Sequence, residues 1–151
     1  MRNILFLLSL SCLSFSFAQK EAELNTIINT WHKNAANSEF DAYFDLTTAD
    51  FVFLGTAPEE RWEKKEFMEF CKPYFDKKST WDFRPSNRLW NFSSDGQTAW
   101  FDEDLETWMQ GCRGTGILIH DAGSWKLSYY NLHVLIENDK IQEFISLRKK
   151  Q

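Results

Sequence analysis

The stretch WDFRPSNRLWNFSSDGQTAWFDEDLETWMQGCRGTGILIHDAGSWKLSYYNLHVLIE, Trp81 to Glu137, decides the fold. It reads as consecutive antiparallel strands joined by three turns. Ser94-Asp95-Gly96-Gln97 is a two-residue hairpin signal, because a type I′ turn needs φ > 0 at both central residues. With Asp95 and Gly96 at the tip, Phe92 faces Ala99, Trp90 faces Phe101 and Arg88 faces Glu103. A second such tip at Ala122 and Gly123 sets His120 opposite Trp125 and Leu118 opposite Leu127. It also sets Gly116 opposite Tyr129, Gly114 opposite Asn131 and Cys112 opposite His133. The turn between them is placed at Met109 and Gln110, so that Phe101 faces Leu118 and Glu103 faces Gly116.

Side chains alternate across a strand, so the pairings define two faces. One carries Arg88, Trp90, Phe92, Phe101, Glu103, Leu105, Leu118, Leu127, Tyr129, Asn131 and His133. The other carries Trp100, Asp102, Asp104, Glu106, Trp108, Arg113, Lys126 and Ser128 and reads as solvent or subunit interface. On the first face Arg88, Glu103, Tyr129, Asn131 and His133 converge beside Gly114 and Gly116, which have no side chains to fill the space. Polar groups around a void on a core face predict a lined pocket. A one-residue slip or a β-bulge would move every later member of a strand to the opposite face.

Working outward, the 151 residues suit one domain. Aromatic residues reach 17%, with seven Trp, which favours a large apolar core or cavity wall. Met1–Ala18 has the build of a secretory signal: Arg2, an apolar run from Ile4 to Leu13, and small residues at Ser16 and Ala18. Cleavage before Gln19 and export, periplasmic or secreted, are expected. Cys12 raises a lipoprotein alternative, but Ser9-Leu10-Ser11-Cys12 lacks the usual apolar residue three before the Cys. Without Arg2 the 17 basic residues fall by one against 22 acidic ones. That balance disfavours nucleic acid and anionic membrane as partners. Cys71 and Cys112 can be a bridge or two buried thiols, and no C-x-x-C is present.

Helices come before the sheet. Leu24, Ile27, Ile28, Trp31 and Ala35 share one helical face. Ser38 is placed as the N-cap of a second helix, with Asp41 as its capping partner and Phe40, Tyr43, Phe44 and Thr47 as its stripe. Phe51 to Leu54 reads as a short strand ending at Gly55. A third helix is placed at about Glu63 to Tyr74, with Phe67, Phe70, Cys71 and Tyr74 inward and Pro73 at its end. Lys140 to Lys150 suits a short amphipathic helix. Helices followed by a strand meander indicate an α+β domain over residues 19–137, with a tail at 138–151.

Four runs carry a family resemblance: Asp50 to Pro58, Ala99 to Glu103, Cys112 to Gly116 and Trp125 to Leu132. They resemble, in order, SnoaL-like proteins of the nuclear transport factor 2-like superfamily. The resemblance implies a cone: N-terminal helices packed in a curved antiparallel sheet, a cavity at the wide end, and a homodimer. It places the pocket on alternate residues of the last strand, where Tyr129, Asn131 and His133 lie. The fold hosts isomerases, cyclases, dehydratases and non-catalytic binders, so it leaves function open.

Glu103 beside Arg88 reads either as a general base or anchor, or as a cross-strand ion pair. The ion pair is favoured, because a paired carboxylate is held ionised and is a weak base. Glu103 and His133 are the catalytic candidates if the protein is an enzyme. Arg88, Trp90, Phe101, Glu103, Tyr129, Asn131 and His133, with Trp31 and Tyr43 from the helices, form the expected ligand wall. His32, His120 and His133 lie on separate elements without ligand spacing, so no metal is expected, and no cofactor motif is present. The expected function is an exported binder of a small, largely apolar molecule. The alternatives are a cofactor-free isomerase, cyclase or hydratase, and a structural dimerisation module. A homodimer is expected through the face of Trp100 and Trp108.

Overall fold

The computed structural model describes the backbone of residues 2–149 and the side chains of residues 19–149. The leader read at Met1–Ala18 lies outside the described side chains. Helix α1 (Arg2–Ala36) buries Leu24, Ile28, Trp31 and Ala35, whose spacing puts them on one face. Helix α2 (Phe40–Asp45) begins after Glu39, not at a Ser38 cap. Ser38 has φ 59°, outside the extended region a capping residue uses, and its hydroxyl bonds that of Thr80 at 2.9 Å. Thr47 opens β1 (Thr47–Leu54) rather than closing the helix, and its hydroxyl donates to the Phe44 carbonyl at 2.8 Å. A short strand the sequence did not suggest, β2 (Arg61–Glu63), precedes α3 (Lys64–Asp76). Glu63 and Glu66 form a capping box at the start of α3, and Pro73 lies inside it, not at its end. Phe67, Cys71 and Phe75 are its buried line, while Phe70 and Tyr74 are exposed.

Strands β3 (Arg84–Phe92), β4 (Thr98–Thr107), β5 (Gln110–Asp121) and β6 (Ser124–Val134) form the meander. The six-stranded sheet has the order β2-β1-β6-β5-β4-β3. It is mixed rather than antiparallel throughout, because β1 runs parallel to β6. A single 3₁₀ turn at Asn138–Lys140 leads to α4 (Ile141–Arg148), whose Ile141, Phe144, Ile145 and Leu147 remain partly exposed. Among the described residues no helix is long and apolar enough to cross a membrane. Cys71 and Cys112 are both buried free thiols, and burial pushes the Cys71 thiol up.

Three registers govern what faces inward. At the first turn Phe92 pairs with Ala99 and Trp90 with Phe101. Upstream, Asn87 and Arg88 together oppose Glu103, a bulge in which Asn87 takes φ 50°. At the middle turn Thr107 pairs with Gln110, so the tip is Trp108 and Met109. The Thr107 hydroxyl fastens this tip, accepting from the Met109 amide at 2.9 Å and donating to the Gln110 carbonyl at 3.0 Å. The shift against expectation is two residues at the pairing partner, so faces are preserved: Phe101 meets Gly116 and Glu103 meets Gly114. The third hairpin holds only to Leu118–Leu127. Ile117 then pairs with Tyr129, leaving Ser128 as a bulge residue whose hydroxyl donates to the Ile117 carbonyl at 3.2 Å.

That bulge reverses the parity of the rest of β6. Gly116 pairs with Tyr130 and Gly114 with Leu132. Tyr130 and Leu132 are buried, in place of Tyr129 and Asn131. The two glycines do not border a void. A Cβ on Gly114 would overlap the Tyr130 hydroxyl, and one on Gly116 would overlap the Phe101 ring. Gly114→Ala is therefore expected to lower stability by about 1–3 kcal/mol through overpacking. Urea unfolding beside wild type checks this, and an unchanged midpoint would disprove the close approach.

Candidate functional site

Glu103 lies mid-strand on β4 with no exposed surface. Its Oε2 accepts from Arg88 Nε at 2.8 Å and Arg88 Nη2 at 2.6 Å. Its Oε1 accepts from the Tyr130 hydroxyl at 2.8 Å and lies 2.7 Å from His32 Nε2. Each oxygen thus has two partners, the full capacity of a carboxylate. Burial pushes this carboxyl up. The His32 hydrogen bond and charge, the Arg88 charge and the Tyr130 hydroxyl outweigh burial and hold it below its ordinary 4.5. Burial, then the Glu103 charge, push the Tyr130 phenol well above 10.0, so it stays a donor. An ionised carboxylate accepts only, so Nε2 of His32 carries a proton in this contact. Behind Arg88, the Asn25 Oδ1 accepts from Arg88 Nη1 at 2.8 Å and from Trp90 Nε1 at 3.0 Å.

Of the residues expected to line a site, the fold brings Arg88, Trp90, Phe101 and Glu103 together. Phe101 is buried with its ring 4.7 Å from Trp90. Trp31 is buried between Tyr43 and Tyr130, at ring distances of 4.8 and 4.7 Å. Trp31 Nε1 and the Tyr43 hydroxyl are buried without a hydrogen-bond partner among the described residues. Tyr129, Asn131 and His133 do not reach Glu103, because the Ser128 bulge turns them to the other face. Asn131 Nδ2 donates to the Tyr129 hydroxyl at 3.3 Å, and His133 is exposed opposite Arg113.

His32 and Tyr130 take the places expected of His133 and Tyr129. His32 could have been read from periodicity. Leu24, Ile28 and His32 step by four along α1, which puts the imidazole on the buried face. Tyr130 had no such signal, since only the bulge turns it inward. Among the described residues no cluster of His, Cys, Asp or Glu could hold a metal ion.

A separate apolar pocket of about 150 Å³ opens beside this core. Phe53 of β1, Trp62 of β2 and Phe67 and Phe70 of α3 form one side. Trp81 and Phe83, from the segment leading into β3, form another, and Trp108 and Met109 at the β4–β5 tip form the rim. Its rings are mutually supported: Phe53 stacks on Phe67 at 4.1 Å and Trp62 on Phe70 at 4.6 Å. Trp108, expected in a subunit interface, is 80% exposed at this rim.

Helices in a six-stranded curved sheet, a filled inner face and a SnoaL-like domain model matching residues 24–137 agree. The chain belongs to the SnoaL-like domain family. Solved structures repeat its fold. An NTF2-like protein of unknown function from Pseudomonas putida superposes with a TM-score of 0.68 at 11% identity, covering 82% of this chain and 92% of that one. A candidate dehydratase of the NTF2-like family from Streptomyces avermitilis gives 0.67 at 12%, covering 80% and 99%. A protein of unknown function with a cystatin-like fold from Nostoc punctiforme gives 0.65 at 12%, covering 78% and 92%. No curated protein matches the sequence. At these identities the likeness in this SnoaL-like chain is one of fold.

Removing the charge at the centre exposes how much rests on it. Glu103→Gln leaves Arg88 without its counter-ion and is expected to cost about 3–5 kcal/mol at neutral pH. Because the folded carboxyl is held below 4.5, its contribution is complete above that value and is lost as pH falls through the folded value. The gap between wild type and Glu103→Gln should therefore narrow in acid. Denaturant melts at pH 7 and at successively lower pH check this. A gap that stays constant or widens would remove the ionised-carboxylate account.

Proposed function

We propose that this protein binds a small, largely apolar ring compound in the aromatic pocket bounded by Trp62, Phe67, Trp81 and Phe83. The observation that carries the reading is the pocket's composition: seven of its lining residues are aromatic, Thr56 and Glu60 are its polar members, and the charged groups of the core are committed to one another around Glu103. Apolar burial drives such binding and needs few polar contacts. Export after removal of the leader-like residues 1–18 belongs to the same proposal, as does a homodimer through the outer sheet face, where Leu89, Trp100 and Ile119 are exposed. N-terminal sequencing and sedimentation test those two parts.

A second reading has an observation of its own. His32 Nε2 is tied to Glu103, while Nδ1 has no hydrogen-bond partner among the described residues. A carboxylate that orients a histidine in this way leaves the other nitrogen free to accept a proton. In a cofactor-free isomerase or hydratase, His32 rather than His133 or Glu103 would carry the proton. The candidate dehydratase among the structural neighbours is compatible with this reading but lends only its fold.

Titration with 2-naphthol, followed by tryptophan fluorescence, tests the binding reading. Saturable quenching is expected, and Trp62→Ala should weaken it about tenfold, or about 1.4 kcal/mol. Native mass spectrometry of protein purified from its own host should also show a retained organic mass. Quenching that never saturates, together with a bare protein mass, would overturn the proposal.

A further inference from the structure

Outside the aromatic pocket, a polar groove runs between α1 and β3. One end, of about 220 Å³, is lined by Asn25, Asn29, Pro85, Ser86, Asn87 and Arg88. The other, of about 360 Å³, shares Asn29 and Pro85 and adds His32, Lys33, Ala36, Asp82, Phe83 and Arg84. From Asn25 to Ala36 the floor spans about 16 Å of helix.

The first end has unused donors. Asn25 Oδ1 accepts from Arg88 Nη1 and Trp90 Nε1, both donor-only groups. That fixes the amide orientation and leaves the Asn25 Nδ2 hydrogens without a partner among the described residues. The Arg88 side chain is only 7% exposed, yet Glu103 and Asn25 engage Nε, Nη1 and Nη2 once each. A guanidinium carries five N–H groups, so two remain. The Glu103 contacts hold them in place, so a ligand would meet donors that are already oriented. Such a set suits a group that only accepts. Beyond it, Pro85, Phe83 and Ala36 offer an apolar bed, and Lys33 and Arg84 add positive charge, partly offset by Asp82.

We propose that this groove is a second ligand site, which takes the carboxylate of a small organic acid at Asn25 and Arg88 and lays its apolar body along Pro85 and Phe83. The site rests neither on ligand binding in the aromatic pocket, with which it shares Phe83, nor on His32 as proton carrier, although His32 lines its second end; its failure would leave both readings standing.

The test is an NMR titration of the ¹⁵N-labelled protein with sodium benzoate. Sodium chloride at equal ionic strength is the control, and inorganic phosphate is a second arm. Saturable shifts are expected at the Asn25 side-chain amide and the Arg88 Nε–H, in the millimolar range. Asn25→Asp keeps an acceptor for Arg88 and Trp90 but turns an anionic oxygen to the groove. It should fold with the same Glu103 contacts and bind benzoate at least tenfold more weakly. Equal affinity in Asn25→Asp would overturn the proposal. So would shifts confined to the Trp62 and Trp81 indoles, or a response to phosphate without one to benzoate.

Discussion

The Glu103 carboxylate is where four elements meet. It holds α1 through His32, β3 through Arg88 and β6 through Tyr130, from its own place on β4. Taking such an ion out of water costs several kcal/mol, and its partners offset this only when every lone pair is engaged. One irregularity of the sheet serves that requirement. The Ser128 bulge turns Tyr130 inward, and Gly114 leaves room for its hydroxyl. Arg88 already faces inward by the register of the first turn, on the hairpin side of the extra residue Asn87. Asn25 then holds Arg88 from behind, together with the Trp90 indole.

Around this polar centre the aromatic residues do two separate jobs. Trp31, Tyr43, Phe101 and Tyr130 are buried in the same core as the carboxylate, whose complete burial strengthens every contact it makes. Phe53, Trp62, Phe67, Trp81 and Phe83 instead leave an apolar pocket at the side. Phe83 lines both the pocket and one end of the α1–β3 groove. The charged centre and the apolar recess are thus distinct parts of one core, and a ligand in the pocket need not disturb the ion pair.

The residue pattern alone determined a good deal. Asp95-Gly96 set the register of the first hairpin, although of the two only Gly96 takes a left-handed backbone (φ 68°), which glycine accepts freely. Trp90–Phe101 and the meeting of Arg88 with Glu103 follow from that turn. The helical period of Leu24, Ile28, Trp31 and Ala35 placed the inner face of α1. The α+β order was legible too, since helix and strand periods differ.

What only the tertiary structure decided is the content of the polar centre. Side-chain alternation extrapolates from a turn, and one extra residue reverses it. Ser128 is such a residue, and nothing in Leu127-Ser128-Tyr129-Tyr130 marks which tyrosine turns inward. His32 comes to Glu103 from 71 residues away, a pairing that strand register does not describe. The parallel seam between β1 and β6 is likewise a long-range choice, made by burial of the whole sheet and not by any turn. Local backbone chemistry determined the elements and their nearest pairings. Which side chains share the buried carboxylate depended on where distant elements packed, because an interior charge takes its partners from whatever the fold brings within hydrogen-bond reach.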